Sequence, residues 1–190
     1  MLDQKPVLTG SLGADLRALR KARGLTLSGL SRKLGRSVGW LSQVERDLSD
    51  LSVSDLREIA VELDVPVSMF FTHGPAPVDE VGYIVRAGAR RPVGTSQGGL
   101  VEELLSPDLT DDFEMVHSTF KPGCAITKPV TRPTQEVGFV VSGQLDLKIG
   151  PKQFTVAQGD SFRIRGEPFC YANPYNQSAV VIWVIAPPVY

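Results

Sequence analysis

From Leu12 to Phe71 apolar residues recur at helical spacing, and short polar or glycine-bearing breaks cut the pattern into pieces of two to three turns, so this stretch reads as five helices. Leu12, Leu16 and Leu19 form the first stripe, which Gly24 is placed to end because it can take a positive φ. Thr26 caps a second helix carrying Leu27, Leu30 and Leu34, and Gly35 stops it. Ser37 caps a third, in which Leu41 and Val44 are the buried side and Trp40, Ser42, Gln43 and Arg46 occupy the other faces. Ser52 opens a fourth with Leu56, Ile59, Ala60 and Leu63 inward, and Pro66 suits the first turn of a fifth containing Met69 and Phe70.

Two prolines and a glycine in Thr72 to Glu80 interrupt all periodicity and mark a domain boundary. Beyond it come runs of β-branched and aromatic residues punctuated by Gly, Pro and Asp: Val81 to Arg86, Phe113 to Phe120, Val137 to Val141, Gln144 to Ile149, Gln153 to Val156, Ser161 to Ile164 and Ala179 to Ile185. Many short strands with regular turn signals predict a sandwich or small barrel. The expected organisation is therefore an all-α five-helix domain over residues 1–72, a linker at 73–79, and an all-β domain over 80–190.

Composition adds little to this, but the distribution of charge adds a partner. Through Arg46 there are nine basic residues against three acidic ones, a surplus of six, so the remainder must carry seven net negative charges to reach the overall −1. A basic segment joined to an acidic one is what a nucleic-acid surface attached to a second domain produces, although a solvated basic face without a partner gives the same count. No apolar run approaches the length of a membrane span and none opens the chain, so a cytoplasmic protein with no membrane partner is expected. Cys124 and Cys170 have neither CxxC nor zinc spacing and read as reduced thiols.

Two short helices joined at Gly35, the second capped by Ser37, are the arrangement that lays one helix on the DNA backbone and sends the next into the major groove. With LRALRKARGLTL, GLSRKLGRS, LSQVER and LREIAVELDVPVSMFF around them, residues 12 to 71 resemble the phage-repressor or XRE-type helix-turn-helix family. The resemblance implies double-stranded DNA as partner. It puts the base-reading positions at Val38, Gly39 and Gln43, with Ser37, Trp40 and Ser42 near phosphates or flanking bases; Arg32 and Arg36 are expected at phosphates, and Arg46 is a further DNA-binding candidate. Gln43 is the candidate for specificity, because an amide can bond two edge atoms of adenine, whereas Val38 offers only apolar contact. Trp40 could equally pack on the fourth helix. The resemblance also implies a structural ion pair between Arg20 and Glu45. Departures from the family pattern fall at Leu27, Ser31, Asp47 and Leu51, of which Asp47 replaces a glycine but tolerates a left-handed turn.

Gly123 to Gly143 keeps the spacing of the first cupin motif, and Gly159, Asp160 and the stretch Glu167 to Asn173 are similar to the second, which implies a cupin-like jelly-roll barrel. Where metal-binding cupins carry histidines this chain has Pro129, Thr131 and Phe169, and only Glu136 remains. Proline and phenylalanine offer a metal no lone pair and one carboxylate makes no transition-metal site, so neither metal nor cofactor is expected. His117 stands alone in a strand, and no nucleophile has a base beside it, so no catalytic residue is assigned. What the barrel can keep is an effector pocket of Thr131, Glu136, Val140, Phe169 and Tyr171, unless those side chains simply fill the interior.

Together these readings give a DNA-binding transcriptional regulator whose metal-free cupin barrel dimerises it and senses a small molecule. The rival is a metal-independent cupin isomerase or lyase with a DNA-binding appendage. A third reading is a barrel that only dimerises. Effector, operator, and the choice between repression and activation are not written in the sequence.

Overall fold

The computed structural model describes residues 11–70, 77, 79–93, 98–107, 109 and 111–189. The chain divides into two compact units, Met1–Arg90 with Pro107–Thr110, and Arg91–Ser106 with Asp111–Tyr190.

The first unit contains four α-helices among its described residues: α1 (Leu12–Ala22), α2 (Leu27–Lys33), α3 (Val38–Val44) and α4 (Val53–Leu63). Each begins at a hydroxyl. The side chains of Ser11, Thr26, Ser37 and Ser52 accept hydrogen bonds from the backbone N–H three residues on, and Ser52 and Asp55 close a reciprocal capping box. Gly24 and Gly35 take positive φ where α1 and α2 end. Leu16, Leu19, Leu30, Leu41, Ile59 and Leu63 are fully buried and form the core on which all four helices converge.

The expected fifth α-helix is instead a single 3-10 turn, Val67–Phe70. Asp64 closes α4 in the left-handed region, and the next turn is held by an i to i+3 bond from Met69 N–H to the Pro66 carbonyl at 3.0 Å. Val65, Met69 and Phe70 are all buried by that one turn, so the apolar spacing read as a helix is satisfied without one. Phe71 and the expected linker, except Pro77 and Asp79, lie outside the described residues.

The second unit is β throughout. A six-stranded antiparallel sheet has the order β1 (Arg91–Pro92), β2 (Leu100–Leu104), β3 (Glu114–Phe120), β10 (Ala179–Ala186), β5 (Gln135–Ser142), β8 (Ser161–Arg165). A four-stranded one has the order β4 (Ala125–Val130), β9 (Phe169–Ala172), β6 (Gln144–Ile149), β7 (Lys152–Ala157). This corrects the expectation of a barrel: the two sheets pack face to face through contacts such as the edge-on rings of Phe120 and Tyr171, 4.8 Å apart, but among the described residues no ladder joins their edges. Alternation decides which side chains turn inward: Glu114, Val116, Ser118 and Phe120 on β3, Glu136, Gly138 and Val140 on β5, and Ala179, Val181, Trp183 and Ile185 on β10 are buried. Gly138 is required there, since a Cβ would sit 2.2 Å from the Phe162 ring, which crosses the strand to meet Trp183 edge-on at 5.0 Å.

The run Val81 to Arg86, expected as a strand, is not one. The Glu80 carbonyl accepts from both Tyr83 and Ile84 N–H, and its carboxylate binds Arg86, so this backbone is closed on itself.

Candidate functional site

In the first unit, α2 and α3 are joined through Gly35, and Arg36 N–H bonds the Ser31 carbonyl at 2.9 Å, fixing the turn between them. The frame beneath α3 is a buried ion pair. Arg20 donates from Nε to Glu45 Oε1 at 2.6 Å and from Nη2 to Oε2 at 2.9 Å, and its Nη1 reaches the Leu25 carbonyl at 2.7 Å. Fork-on-fork geometry fixes the angle between α1 and the end of α3 and raises the Arg20 pKa, chiefly through the hydrogen bond to Glu45.

With Leu41 and Val44 turned into the core, the opposite side of α3 is free. Ser37, Val38, Gly39, Gln43 and Arg46 are exposed, Ser42 and Trp40 half-buried, and Arg32 on α2 is exposed as well. Val38 is 46% exposed, which is unusual for a valine at the start of a short helix. The first unit thus exposes Val38 and Gln43 on α3, with Arg32 on α2, Arg36 in the turn before α3 and Arg46 just beyond its end also exposed.

Arg36 has a second task. Its Nη2 lies 2.6 Å from Asp55 Oδ1 at the start of α4, and its guanidinium carbon is 5.0 Å from the Trp40 ring centre. Trp40 thus lies against the guanidinium that is tied to the start of α4. Ser52 hydrogen bonds, more than Arg36, hold Asp55 below its ordinary pKa.

Within the second unit Glu136 is 1% exposed and faces the space between the sheets. It is satisfied internally: the Thr134 hydroxyl donates to Oε1 at 2.7 Å, and Arg132 Nη1 lies 3.9 Å away. Arg132 also covers the Phe169 ring at 5.9 Å. Cross-strand pairing sets Glu114 and Glu136 on either side of Ile185 in one row, and Glu102 on β2 accepts from Ser118 Oγ at 2.9 Å. Of these three inward carboxylates, Glu136 is the one Arg132 approaches, and the guanidinium acts on Glu102 and Glu114 only through its charge at longer range. Burial dominates the Glu114 pKa, pushing it from 4.5 to about 7 against the Val189 N–H and Arg132, and burial also raises Glu102. Burial likewise pushes the Tyr171 hydroxyl up to about 12.

Helix-turn-helix and cupin domain family models match residues 11–69 and 116–185, respectively. A curated relative, the HTH-type transcriptional regulator SutR of Escherichia coli strain K12, is 41% identical over 157 residues, 82% of this chain and 83% of its own length. The chain belongs to the HTH-type transcriptional regulators. The HTH-type transcriptional regulator PuuR of the same strain is 23% identical over 162 residues, spanning 85% of this chain and 86% of PuuR. A crystal structure of an HTH_3 family transcriptional regulator from Vibrio cholerae covers 97% of this chain and 99% of its own at 22% identity, with a TM-score of 0.46.

In this HTH-type regulator the cupin part does not fit a metal. Strand β4 shifts register between Ile126 and Val130, so Pro129 and Thr131 are exposed, and Arg132 brings a positive charge to Glu136. Phe169 is buried beneath that guanidinium. Among the described residues no group of three or more His, Cys, Asp or Glu is arranged to hold a metal. Of the five expected pocket residues, Glu136, Val140 and Phe169 are buried, Tyr171 is half-buried against Phe120, and Thr131 stands apart. His117 turns to the outer face, 3.9 Å from Glu103. A hollow of about 550 Å³ over the four-stranded sheet is lined by Pro129, Asp146, Lys148, Gln153 and Tyr171 among others, and does not include Glu136.

Sequence reasoning missed Glu102, whose run was not read as a strand, and Glu114, whose strand was read over Phe113 to Phe120 without its inward face being assigned. It also missed what Asp47 does. At φ +55° its carboxylate accepts from Gly13 N–H at 2.9 Å and from the Ser11 hydroxyl, so the end of α3 caps the start of α1. Gly13 permits that approach, because a Cβ would lie 2.3 Å from the Val44 carbonyl.

Proposed function

We propose that this HTH-type regulator reads operator DNA with α3 in the major groove, and that residues 80–190, joined through 73–79 to the reading domain 1–72, dimerise it and hold a small effector. The observation that carries the reading is the α3 surface, where Val38, Gly39 and Gln43 are exposed above a frame locked by Arg20 and Glu45. Gln43 reads a base, Val38 approaches a thymine methyl, and Gly39 allows close backbone approach. Ser37, Ser42 and Trp40 meet the flanking backbone, while Arg32, Arg36 and Arg46 neutralise phosphates, Arg36 doing so from its tether to Asp55.

Support for an effector site is narrower. Glu136 and Thr134 are buried with Val140 and Phe169, half-buried Tyr171 lies nearby, and the partly exposed Arg132 reaches in over Phe169, a polar group set in apolar surroundings of the sort that orients a small ligand. Fluorescence anisotropy on a cognate operator tests the DNA reading. Gln43→Ala is expected to cost about 1 to 3 kcal/mol and relax preference at one base pair. Equal loss on every sequence would show that Gln43 does not read a base.

A further inference from the structure

The outer face of the six-stranded sheet is apolar where a solvated sheet is ordinarily polar. Val137, Phe139 and Val141 on β5 and Val184 on β10 are 46%, 47%, 42% and 39% exposed, and half-buried Ile182 and Met115 continue the patch across β10 and β3. These are central strands, and register sets the side chains in contiguous rows: Phe139 beside Ile182, and Val137 beside Val184 beside Met115.

The charges flanking this patch differ on its two sides. On β8, Arg163 stands directly beside Val137 and Arg165 beside Gln135, both exposed. On the other flank, His117 beside Ile182 carries Glu103 of β2 at 3.9 Å. The apolar band therefore runs from the arginines of β8 to a carboxylate on β2, the strand just inside the edge strand β1.

We infer that this face is the surface on which a second copy of the chain docks, with the two-fold axis running along β10. The inference rests on the proposal that the regulator dimerises, and it names the surface. A two-fold relating two sheets packed face to face lies in the plane between them. An axis across the strands would lay β8 on β8 and arginine against arginine. An axis along β10 lays the Arg163 edge of each copy over the Glu103 edge of the other, twice, and stacks the apolar bands with strands aligned. Five strands about 4.8 Å apart and about seven residues long span about 24 by 24 Å. Side-chain relief brings such a face close to the roughly 800 Å² per partner of a standard interface.

Sedimentation velocity on the full chain and its variants separates the possibilities. Wild type is expected to be a dimer at micromolar concentration. Phe139→Glu should be monomeric yet folded, with the circular dichroism spectrum of wild type, because in the single chain the side chain is already half in solvent. Arg163→Glu and Glu103→Arg should each raise the dimer Kd by about tenfold or more, and the double reversal should recover it. Gln153→Glu, on the outer face of the other sheet, should change nothing. A monomeric wild type overturns the dimer reading itself. A dimer indifferent to Phe139→Glu and Arg163→Glu, or broken by Gln153→Glu, overturns this face while leaving dimerisation intact. If Phe139→Glu does not fold, the charge reversals decide alone, and failure of the double variant to recover overturns the axis along β10.

Discussion

Asp47 shows how one side chain can stabilise two elements. Asp47→Ala keeps the left-handed backbone without a residue suited to it and removes the cap on α1, so a loss of about 2 kcal/mol is expected. Asp47→Gly removes the cap but relieves the backbone and should be close to neutral. Chemical denaturation of both variants checks the pair, and equal losses would deny the backbone contribution. Arg20→Ala is a harsher change, leaving the Glu45 carboxylate buried without its partner and the Leu25 carbonyl without its donor. About 3 kcal/mol should be lost, and a loss below 1 kcal/mol would mean that Glu45 escapes to solvent. The Arg20–Glu45 pair was legible because the resemblance placed both residues. The Asp47 cap was not, because it joins residues 34 positions apart through a backbone that only Gly13 lets approach.

At the level of elements, the helices were legible where hydroxyl caps and glycine stops bracket an apolar stripe, as at Thr26, Ser37 and Ser52. The pattern failed after Asp64, where a single turn buries the same residues as a helix. Strands that form runs of β-branched and aromatic residues, such as β3, β5 and β10, were legible. β4 and β9 were not, since a register shift and a short span erase the period of two. Pro129 and Thr131 near that shift are exposed, and Arg132 lies 3.9 Å from Glu136. β3 also carries the most strongly perturbed carboxyl, Glu114, which in the native state holds a proton up to about pH 7 and in the unfolded chain only to about 4.5. Between those values the native state binds more protons, so stability is highest below about pH 4.5 for this group and falls as pH rises through 7. The expected decline is on the order of 2 to 3 kcal/mol, with raised Glu102 adding in the same direction. Melting temperatures from pH 5 to 8 should fall in wild type and flatten in Glu114→Gln; identical slopes would place the linkage elsewhere.

For the molecule as a whole, the basic surplus lies in the residues through Arg46, nine basic against three acidic, while residues 80–190 are nearly neutral with ten basic against eleven acidic, and the salt dependence of DNA binding should belong to the first alone. Arg32→Ala and Arg46→Ala should each weaken binding about equally on all sequences and reduce the slope of log K against log salt by about one. Unchanged slopes would remove them from the phosphate contacts. Dimerisation through the sheet domain would present two copies of α3 related by a two-fold, which dictates the symmetry of the site they read. In vitro selection from a random duplex library, using the full-length wild-type regulator and Gln43→Ala in parallel, tests that claim most directly. The account predicts an inverted repeat with half-site centres about 34 Å apart or a multiple of that, and with Gln43→Ala a loss of preference at one base pair in each half-site. Failure of wild type to enrich any sequence, or enrichment of the same site with undiminished preference by Gln43→Ala, would contradict it.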